Sequence, residues 1–457
     1  MDMACKRKGD SRMERMRKRG LAFWFLSLTI FLSCSSAGFS EEVSLPLPGK
    51  PITLDQCVAL GLKFNPALRG NQASVEAQKA RVEQSLSAYY PQVNFNAAYN
   101  ANTFNIVSLG GQGRPYTYNW TFQDIFSMGP NLTQTIYDFG RTASAVKQNR
   151  EIVKASEQDL ITTKQTIILN VKQAYFVVIQ AQHLVEVAQD VVKQTKQHLD
   201  QAQGFYQAGT QPKIYVTNAE VALANAQLFL IQSRNNYQVA QVTLNTAMGL
   251  RQDLRYEIED NLAYKPREIT LAEILDTAYV KRPELIQFKA LERGQEATIK
   301  LAKAGYYPIL SGNASYLLRS TGFDDPFYWD LFLGASLSFP LFSGFSTPAQ
   351  IAQGQATLRS LQAQQENAKL NIRLEGEQAY LGLKVADEQV KATEKAVSQA
   401  QENYDLASGR YQVGVGSPLE ITDAEVSLAT ARANNIQALY NYKTAESRIE
   451  KAMGSFR

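Results

Sequence analysis

The sequence predicts a mainly α-helical chain with a membrane β-barrel portion, written as a tandem repeat. Three observations predict it. Residues 141–203 contain neither Gly nor Pro, a stretch far longer than an ordinary globular helix. Segments between the helical stretches alternate apolar and polar residues with period two. Landmark peptides from the first half of the chain return, in the same order, in the second.

The repeat sets the frame. Thr53-Leu54 and Asn65-Pro66 return as Thr270-Leu271 and Arg282-Pro283, an offset of 217 residues, and Tyr89-Tyr90-Pro91 returns as Tyr306-Tyr307-Pro308 at the same offset. Further on the offset is 205. It carries Tyr206-Gln207-Ala208-Gly209 to Tyr411-Gln412-Val413-Gly414, Ala219-Glu220-Val221 to Ala424-Glu425-Val426, and Ala247-Met248-Gly249 to Ala452-Met453-Gly454. The first copy is therefore the longer, and its excess lies between residues 91 and 140. The expected organisation is a leader at 1–37, a short segment at 38–52, repeat one at 53–249, a linker at 250–269 and repeat two at 270–454.

Within each repeat the same order of elements is expected. A helix of moderate length comes first, at 67–90 and 284–307. A very long helix follows the alternating region. Continuous helix over 141–203 would reach roughly 95 Å at ~1.5 Å per residue. A shorter helix closes each repeat, over 213–248 and 419–453. The long helix carries two apolar seams. Ile168, Val171, Tyr175, Val178, Gln182, Val185, Gln189 and Val192 step by three and four, and so do Ala174, Val177, Ala181, Leu184, Ala188 and Val191. One heptad seam serves one partner, and two adjacent seams serve a neighbour on each side. An ordinary bundle core is the plainer reading, but the small and amide residues suit a curved, partly hydrated wall.

The alternating regions lie at about 91–138 and 309–342. In Gln92-Val93-Asn94-Phe95-Asn96-Ala97-Ala98-Tyr99-Asn100 the odd positions are apolar and the even ones mostly amides. Leu331, Leu333, Ala335, Leu337 and Phe339 alternate with Phe332, Gly334, Ser336 and Ser338. Further strands are expected over 310–319 and 118–138, the latter interrupted at Gly129-Pro130. Strands of about ten residues with one apolar face match an outer-membrane barrel. A half-buried soluble sheet gives the same alternation. If the strands span a membrane, four of them cannot close a lumen, because known barrels need about eight or more and an open edge in lipid strands its backbone polar groups. The chain must then oligomerise.

Composition narrows the function. Mean hydropathy is negative, and no window of ~20 unbroken apolar residues predicts a membrane-spanning helix. Residues 1–37 hold eight Lys/Arg against three acids, so the net charge of +4 falls to −1 without them (4 − 5). A nucleic-acid binder keeps its basic face after processing, and this chain does not. The basic stretch, the apolar run 21–32 and Ser33-Cys34-Ser35-Ser36-Ala37 follow the order of a secretory signal peptide. Two endings are open, cleavage after Ala37 or lipidation of Cys34. Cys57 stands among Leu54, Val58 and Leu62 at helical spacing and is expected to pack as a small apolar residue. No phosphate loop, nucleophile elbow, His-Glu-x-x-His or dinucleotide fingerprint occurs, so neither an enzyme nor a cofactor is expected. His183 and His198, fifteen apart on the long helix, read as surface or seam residues rather than metal ligands.

Taken in order, these parts resemble the TolC-like outer-membrane efflux protein family. The resemblance covers 53–454. It is carried most specifically by two strand-to-helix corners, Leu132-Thr133-Gln134-Thr135-Ile136-Tyr137-Asp138-Phe139-Gly140-Arg141 and Leu337-Ser338-Phe339-Pro340-Leu341-Phe342-Ser343-Gly344. The helical turns Tyr206–Thr210 and Tyr411–Gly416 are nearly as specific. The resemblance implies a homotrimer with a 12-stranded barrel in the outer-membrane lipid of a Gram-negative-type bacterium, and a long helical barrel in the periplasm. It implies an exit duct of a tripartite efflux or type I secretion system. It also implies that the tips, here Gly209, Thr210, Tyr411, Gly414, Val415 and Gly416, dock a periplasmic adaptor belonging to an inner-membrane pump. Glu420 and Asp423 match the family's acidic constriction, where threefold symmetry would crowd six carboxylates. First-turn acids that complement the helix dipole are the plainer reading. The latch of the family's closed state does not carry over, since its acid and arginine positions are Tyr215 and Gly416 here. A periplasmic coiled-coil scaffold or adaptor, soluble or lipid-anchored, is the rival reading.

Overall fold

The computed structural model describes residues 51–108, 117–250, 256–322 and 325–456. The expected signal peptide, Cys34 included, lies outside the described residues.

Two repeats of equal helical length build the fold. Repeat one runs α1 (Leu54–Phe64), α2 (Pro66–Leu86), β1 (Gln92–Ser108), β2 (Thr117–Tyr137), α3 (Arg141–Gln207) and α4 (Ile214–Met248). Repeat two runs α5 (Leu271–Lys281), α6 (Pro283–Lys303), β3 (Ile309–Ser320), β4 (Tyr328–Ser338), α7 (Ser346–Gln412) and α8 (Pro418–Ala452). The paired helices match residue for residue: 11, 21, 67 and 35 residues in each repeat. At ~1.5 Å per residue, α3 and α7 are each about 100 Å long. The strands differ, 17 and 21 residues against 12 and 11, so the extra length of the first copy sits in its first hairpin.

Local chemistry places the boundaries. Thr53 and Gln56 form a reciprocal capping box at the start of α1, 3.3 and 3.1 Å long. Asn65-Pro66 breaks α1 from α2. Proline removes an amide and restricts the residue before it, while the Asn65 side chain accepts from Ala67 N at 2.9 Å. At each strand-to-helix corner two successive residues adopt positive φ, Phe139 (52°) with Gly140 (83°) and Gly344 (60°) with Phe345 (63°). Asp138 stabilises the first corner: Oδ1 accepts from Gly140 N (3.1 Å) and Oδ2 from Thr142 N (2.7 Å).

The strands form one antiparallel sheet, ordered β1-β2-β3-β4. The register sorts the side chains. Val93, Phe95, Ala97 and Tyr99 lie opposite Leu132, Pro130, Met128 and Phe126; Leu132 and Met128 lie opposite Ala314 and Leu318; and those lie opposite Leu333 and Trp329. This face is apolar from edge to edge. The other face carries Asn94, Asn96, Asn131, Thr133, Asn313, Ser315 and Ser336. It is bridged across strands by Asn96 Nδ2 to Asn131 Oδ1 (3.0 Å) and Asn313 Nδ2 to Ser336 Oγ (3.2 Å).

One expectation is corrected here. Gly129-Pro130 does not interrupt β2, which runs through both residues opposite Asn96 and Phe95. Pairing to β3 skips them, resuming at Asn131, so the missing proline amide falls where no partner is required. Gly129 passes so close to β3 that a Cβ would stand 1.9 Å from Tyr316 O.

α3 is the central helix. Along its length it packs against α1, α2 and α4 of its own repeat and α6 and α8 of the other. The expected seams are filled in part: Ile168, Val171, Tyr175 and Val178 of one and Ala174, Ala181 and Ala188 of the other are buried, while Gln182, Val185 and Val192 are half-buried and Gln189 is exposed. Halfway along, the segment before α1 and residues 256–269 of the linker pack on the helices. Ile52 N donates to Glu257 O (2.8 Å) and Glu259 N to Ile52 O (3.1 Å). The Tyr175 hydroxyl, from α3, donates to Glu259 O (2.6 Å). In the second repeat the Tyr442 hydroxyl donates to Lys265 O (2.7 Å) and accepts from Arg267 N (3.1 Å). Cys57 is fully buried in this belt, and burial pushes its thiol up to about 12. It behaves as a small apolar residue.

α4 departs from the expectation that no helix is apolar and long enough to cross a membrane: by length and composition alone, it is. At 35 residues it outruns a ~30 Å hydrocarbon core, and it lies along the charged helix α3.

Candidate functional site

The two helical hairpins, α3–α4 and α7–α8, turn at glycines. Gly209 and Gly414 have φ of 73° and 81°, conformations that cost other residues about 1 kcal/mol or more. Their turns are built alike. Gly209 N donates to Tyr206 O and Thr210 N to Phe205 O, both at 3.0 Å; Gly414 N donates to Tyr411 O and Val415 N to Arg410 O, both at 3.0 Å. The second turn adds Gly416 N to Arg410 O at 2.9 Å. There a Cβ would stand 2.7 Å from Tyr411 N, so the backbone itself explains why no side chain occupies this position. Ser417 then caps α8, its Oγ accepting from Leu419 N at 3.2 Å.

Gly209, Thr210, Gly414 and Val415 are exposed at the ends of the hairpins, and Gly416 is half-exposed. Tyr411 departs from the role expected of it. Its ring is 1% exposed, whereas its repeat-equivalent Tyr206 is 46% exposed. Tyr411 packs edge-on against His198 and Phe205, with ring centroids 5.1 and 5.6 Å away. It braces the two hairpins from inside rather than presenting a docking contact.

Glu420 and Asp423 are exposed and three residues apart, on one face of the first turns of α8. Glu420 is not alone: Arg410 Nε lies 3.5 Å from its Oε2. Asp423 has no ion pair among the described residues. The sequence reading did not anticipate Arg410. Its signal was the ten-residue spacing across a five-residue turn, which brings the last turn of α7 beside the first turn of α8.

Sequence reasoning also missed Glu425. It lies where α8 crosses α3, at 4% exposure, and its Oε2 is 3.9 Å from Nδ1 of His198, also 4% exposed. Burial pushes the Glu425 carboxyl up to about 7 and pulls His198 down from its usual range. The signal was present: Ile421, Glu425 and Leu428 step by four and three, so an acid occupies a seam position of α8.

The remaining feature is a set of faces left open. Ile214, Val221, Leu228, Ile231, Val239 and Val242 are exposed along α4, and Leu370, Leu374, Leu381 and Val385 along α7. β1 and β4 are free sheet edges. A sheet with one apolar face and one polar face, continued into helices about 100 Å long, has the architecture of an outer-membrane β-barrel protein with a long helical extension.

The chain belongs to the outer membrane efflux protein family, whose model matches residues 60–250 and 274–455. The two matched segments fall on the two repeats. Outer membrane protein TolC of Escherichia coli K12 is 24% identical over 455 residues, covering 94% of this chain and 86% of that protein. Toluene efflux pump outer membrane protein TtgC of Pseudomonas putida is 23% identical, covering 88% and 82%. Among solved structures, the outer-membrane channel OprN superposes with a TM-score of 0.73 at 19% identity, covering 88% of this chain and 90% of that one. The protein is an outer-membrane efflux protein with the fold of these channels.

Proposed function

We propose that three copies of this chain close into one continuous duct, and that the duct is the passive outer-membrane exit of a tripartite export line. The supporting observation is an asymmetry between the repeats. Repeat one joins repeat two through three contacts, β2 to β3, α3 to α6 and α3 to α8. Carried forward by the repeat, the same contacts require β4 to meet β1, α7 to meet α2 and α7 to meet α4 of a sister copy. Those are the edges and the apolar faces that stand open. Three chains of four strands supply twelve, above the minimum for a closed barrel. The apolar sheet face then meets outer-membrane lipid and the amide-rich face lines the lumen.

Below the barrel, the tips Gly209, Thr210, Gly414, Val415 and Gly416 present backbone-rich turns to a periplasmic adaptor, and through it to an inner-membrane pump. The names of the relatives support this reading, since TtgC is called a component of a toluene efflux pump. No bond is made or broken in the duct; the work is done by the pump. Glu420 and Asp423, repeated about the axis, form an acidic ring near the mouth.

The test is fractionation of the full chain with its leader. The duct reading expects an outer-membrane protein that migrates as a trimer when unheated and as a monomer after boiling, and that conducts ions in planar bilayers. Recovery as a soluble periplasmic monomer would refute it in favour of a scaffold or adaptor.

A further inference from the structure

His198, Glu425 and Tyr411 come from three helices and meet about 14 Å from the first tip, nine residues along α3 at ~1.5 Å each. They carry an unusual deficit. His198 Nδ1, both Glu425 carboxylate oxygens and the Tyr411 hydroxyl are all buried without a hydrogen-bond partner. Buried polar groups are nearly always paired, and unpaired ones cost several kcal/mol when charged. The cluster is also particular to one junction. At the repeat-equivalent positions Glu220 is exposed and His198 is replaced by Asn403.

We propose that His198, Glu425 and Tyr411 form a proton-holding contact between the two hairpins, and that the tip loosens when the proton they hold leaves. The inference rests on the duct reading, because it concerns how the tip opens. One shared proton is what makes the contact tolerable. With it, the buried pair is uncharged, a protonated carboxyl beside a neutral imidazole. Without it, Glu425 is a bare buried carboxylate. With a second proton, His198 is a bare buried cation. Among the described residues neither group has a second ion pair. From α7 the carboxyl faces Tyr404, with Asp405 beside it, and the Tyr411 ring packs on the His198 imidazole. On α8 itself, Arg432 is held by Asp190 (3.2 Å) and Gln401 (2.8 Å). Arg410 turns to Glu420. From α4 the neighbouring side chains are Val216 and Ala219, while Lys213 and Glu220 are exposed.

The direction with pH follows from proton counting. Glu425, raised from 4.5 to about 7, stabilises the closed contact below 4.5 and loses that stabilisation as pH rises to about 7. His198, lowered from 6.5, stabilises it above 6.5 and loses that stabilisation as pH falls. Between 4.5 and 6.5 open and closed contacts hold one proton each, and opening is indifferent to pH. Above 6.5 only the closed contact still holds it. Opening then rises, by about threefold over the half unit to about 7, at tenfold per pH unit for one proton.

Single-channel recording of the purified trimer between pH 5 and 8, on wild type, Glu425→Gln and His198→Gln, reads this directly. Glu425→Gln leaves His198 alone, and opening should increase as pH falls below 6.5. His198→Gln leaves Glu425 alone, and opening should increase with rising pH by up to about tenfold per unit between 4.5 and 7. Opposite slopes support the contact. Identical profiles in all three proteins overturn it while leaving the duct intact; a wild type with no channel removes the duct and the inference together. Infrared spectra give a second reading: a protonated-carboxyl band present at pH 6 and lost by pH 8. If Glu425→Gln fails to assemble, that band in wild type still decides, and its absence at pH 6 overturns the proposal.

Discussion

Phe176 and Leu381 occupy equivalent positions on α3 and α7, 205 residues apart, yet Phe176 is 4% exposed and Leu381 is 58% exposed. The two helices have the same length and the same place in their repeats. What differs is that α3 is flanked by the second repeat and α7 has nothing on the matching face. Burying an apolar side chain of this size is worth about 1.5–3 kcal/mol, and three further large apolar residues on α7 lie open beside it.

Substitution at these two positions should separate folding from assembly. Leu381→Asp is expected to leave the monomer's helical circular dichroism intact and abolish the heat-modified trimer band. Phe176→Asp is expected to lose helical signal itself, since it places an unpaired charge in a core. Equal effects of both substitutions on the monomer would contradict the assignment.

The barrel faces make a second pair. Leu333→Lys puts a charge on the apolar sheet face and should cost about 2–4 kcal/mol if it lies near the bilayer midplane. Outer-membrane yield should fall sharply. Asn313→Lys, on the amide-rich face, should insert at near wild-type yield and shift the ion selectivity toward anions. Immunoblots of outer-membrane fractions and reversal potentials read the two outcomes.

At the second tip, Arg410 lies 3.5 Å from Glu420 and offsets part of its charge. Arg410→Ala is expected to strengthen block by multivalent cations. Glu420→Ala with Asp423→Ala should weaken block and raise single-channel conductance. The Arg410 substitution should change stability by no more than about 1 kcal/mol, as for other exposed ion pairs. Block unchanged in the double substitution would count against the acids as a gate.

The two tip glycines should not be equally sensitive. Gly209→Ala meets open space and pays only for its positive φ, about 1 kcal/mol. Gly416→Ala meets backbone at 2.7 Å and must displace the turn. Cleavage of the second tip by a protease of broad specificity should accelerate far more in Gly416→Ala than cleavage of the first tip in Gly209→Ala.

The sequence carried the helical repeat because its signals are local. The stretch of residues 141–203 without Gly or Pro, the Asn65-Pro66 break and the glycines of the turns each act within a few residues of themselves. The two seams on α3 were equally readable, since 3.6-residue periodicity records burial on each flank. The unbroken passage of β2 through Gly129-Pro130 was not, because it depends on which side of the strand pairs with β3.

What the sequence determined by itself was the order of elements and the apolar and polar faces. Tertiary structure decided the rest. It turned Tyr411 inward while leaving Tyr206 exposed, paired Arg410 with Glu420, and set Glu425 against His198. Each follows from which helix crosses which at a given height. Repeat-equivalent residues have nearly the same local sequence but different neighbours, and only the packed chain supplies the neighbours.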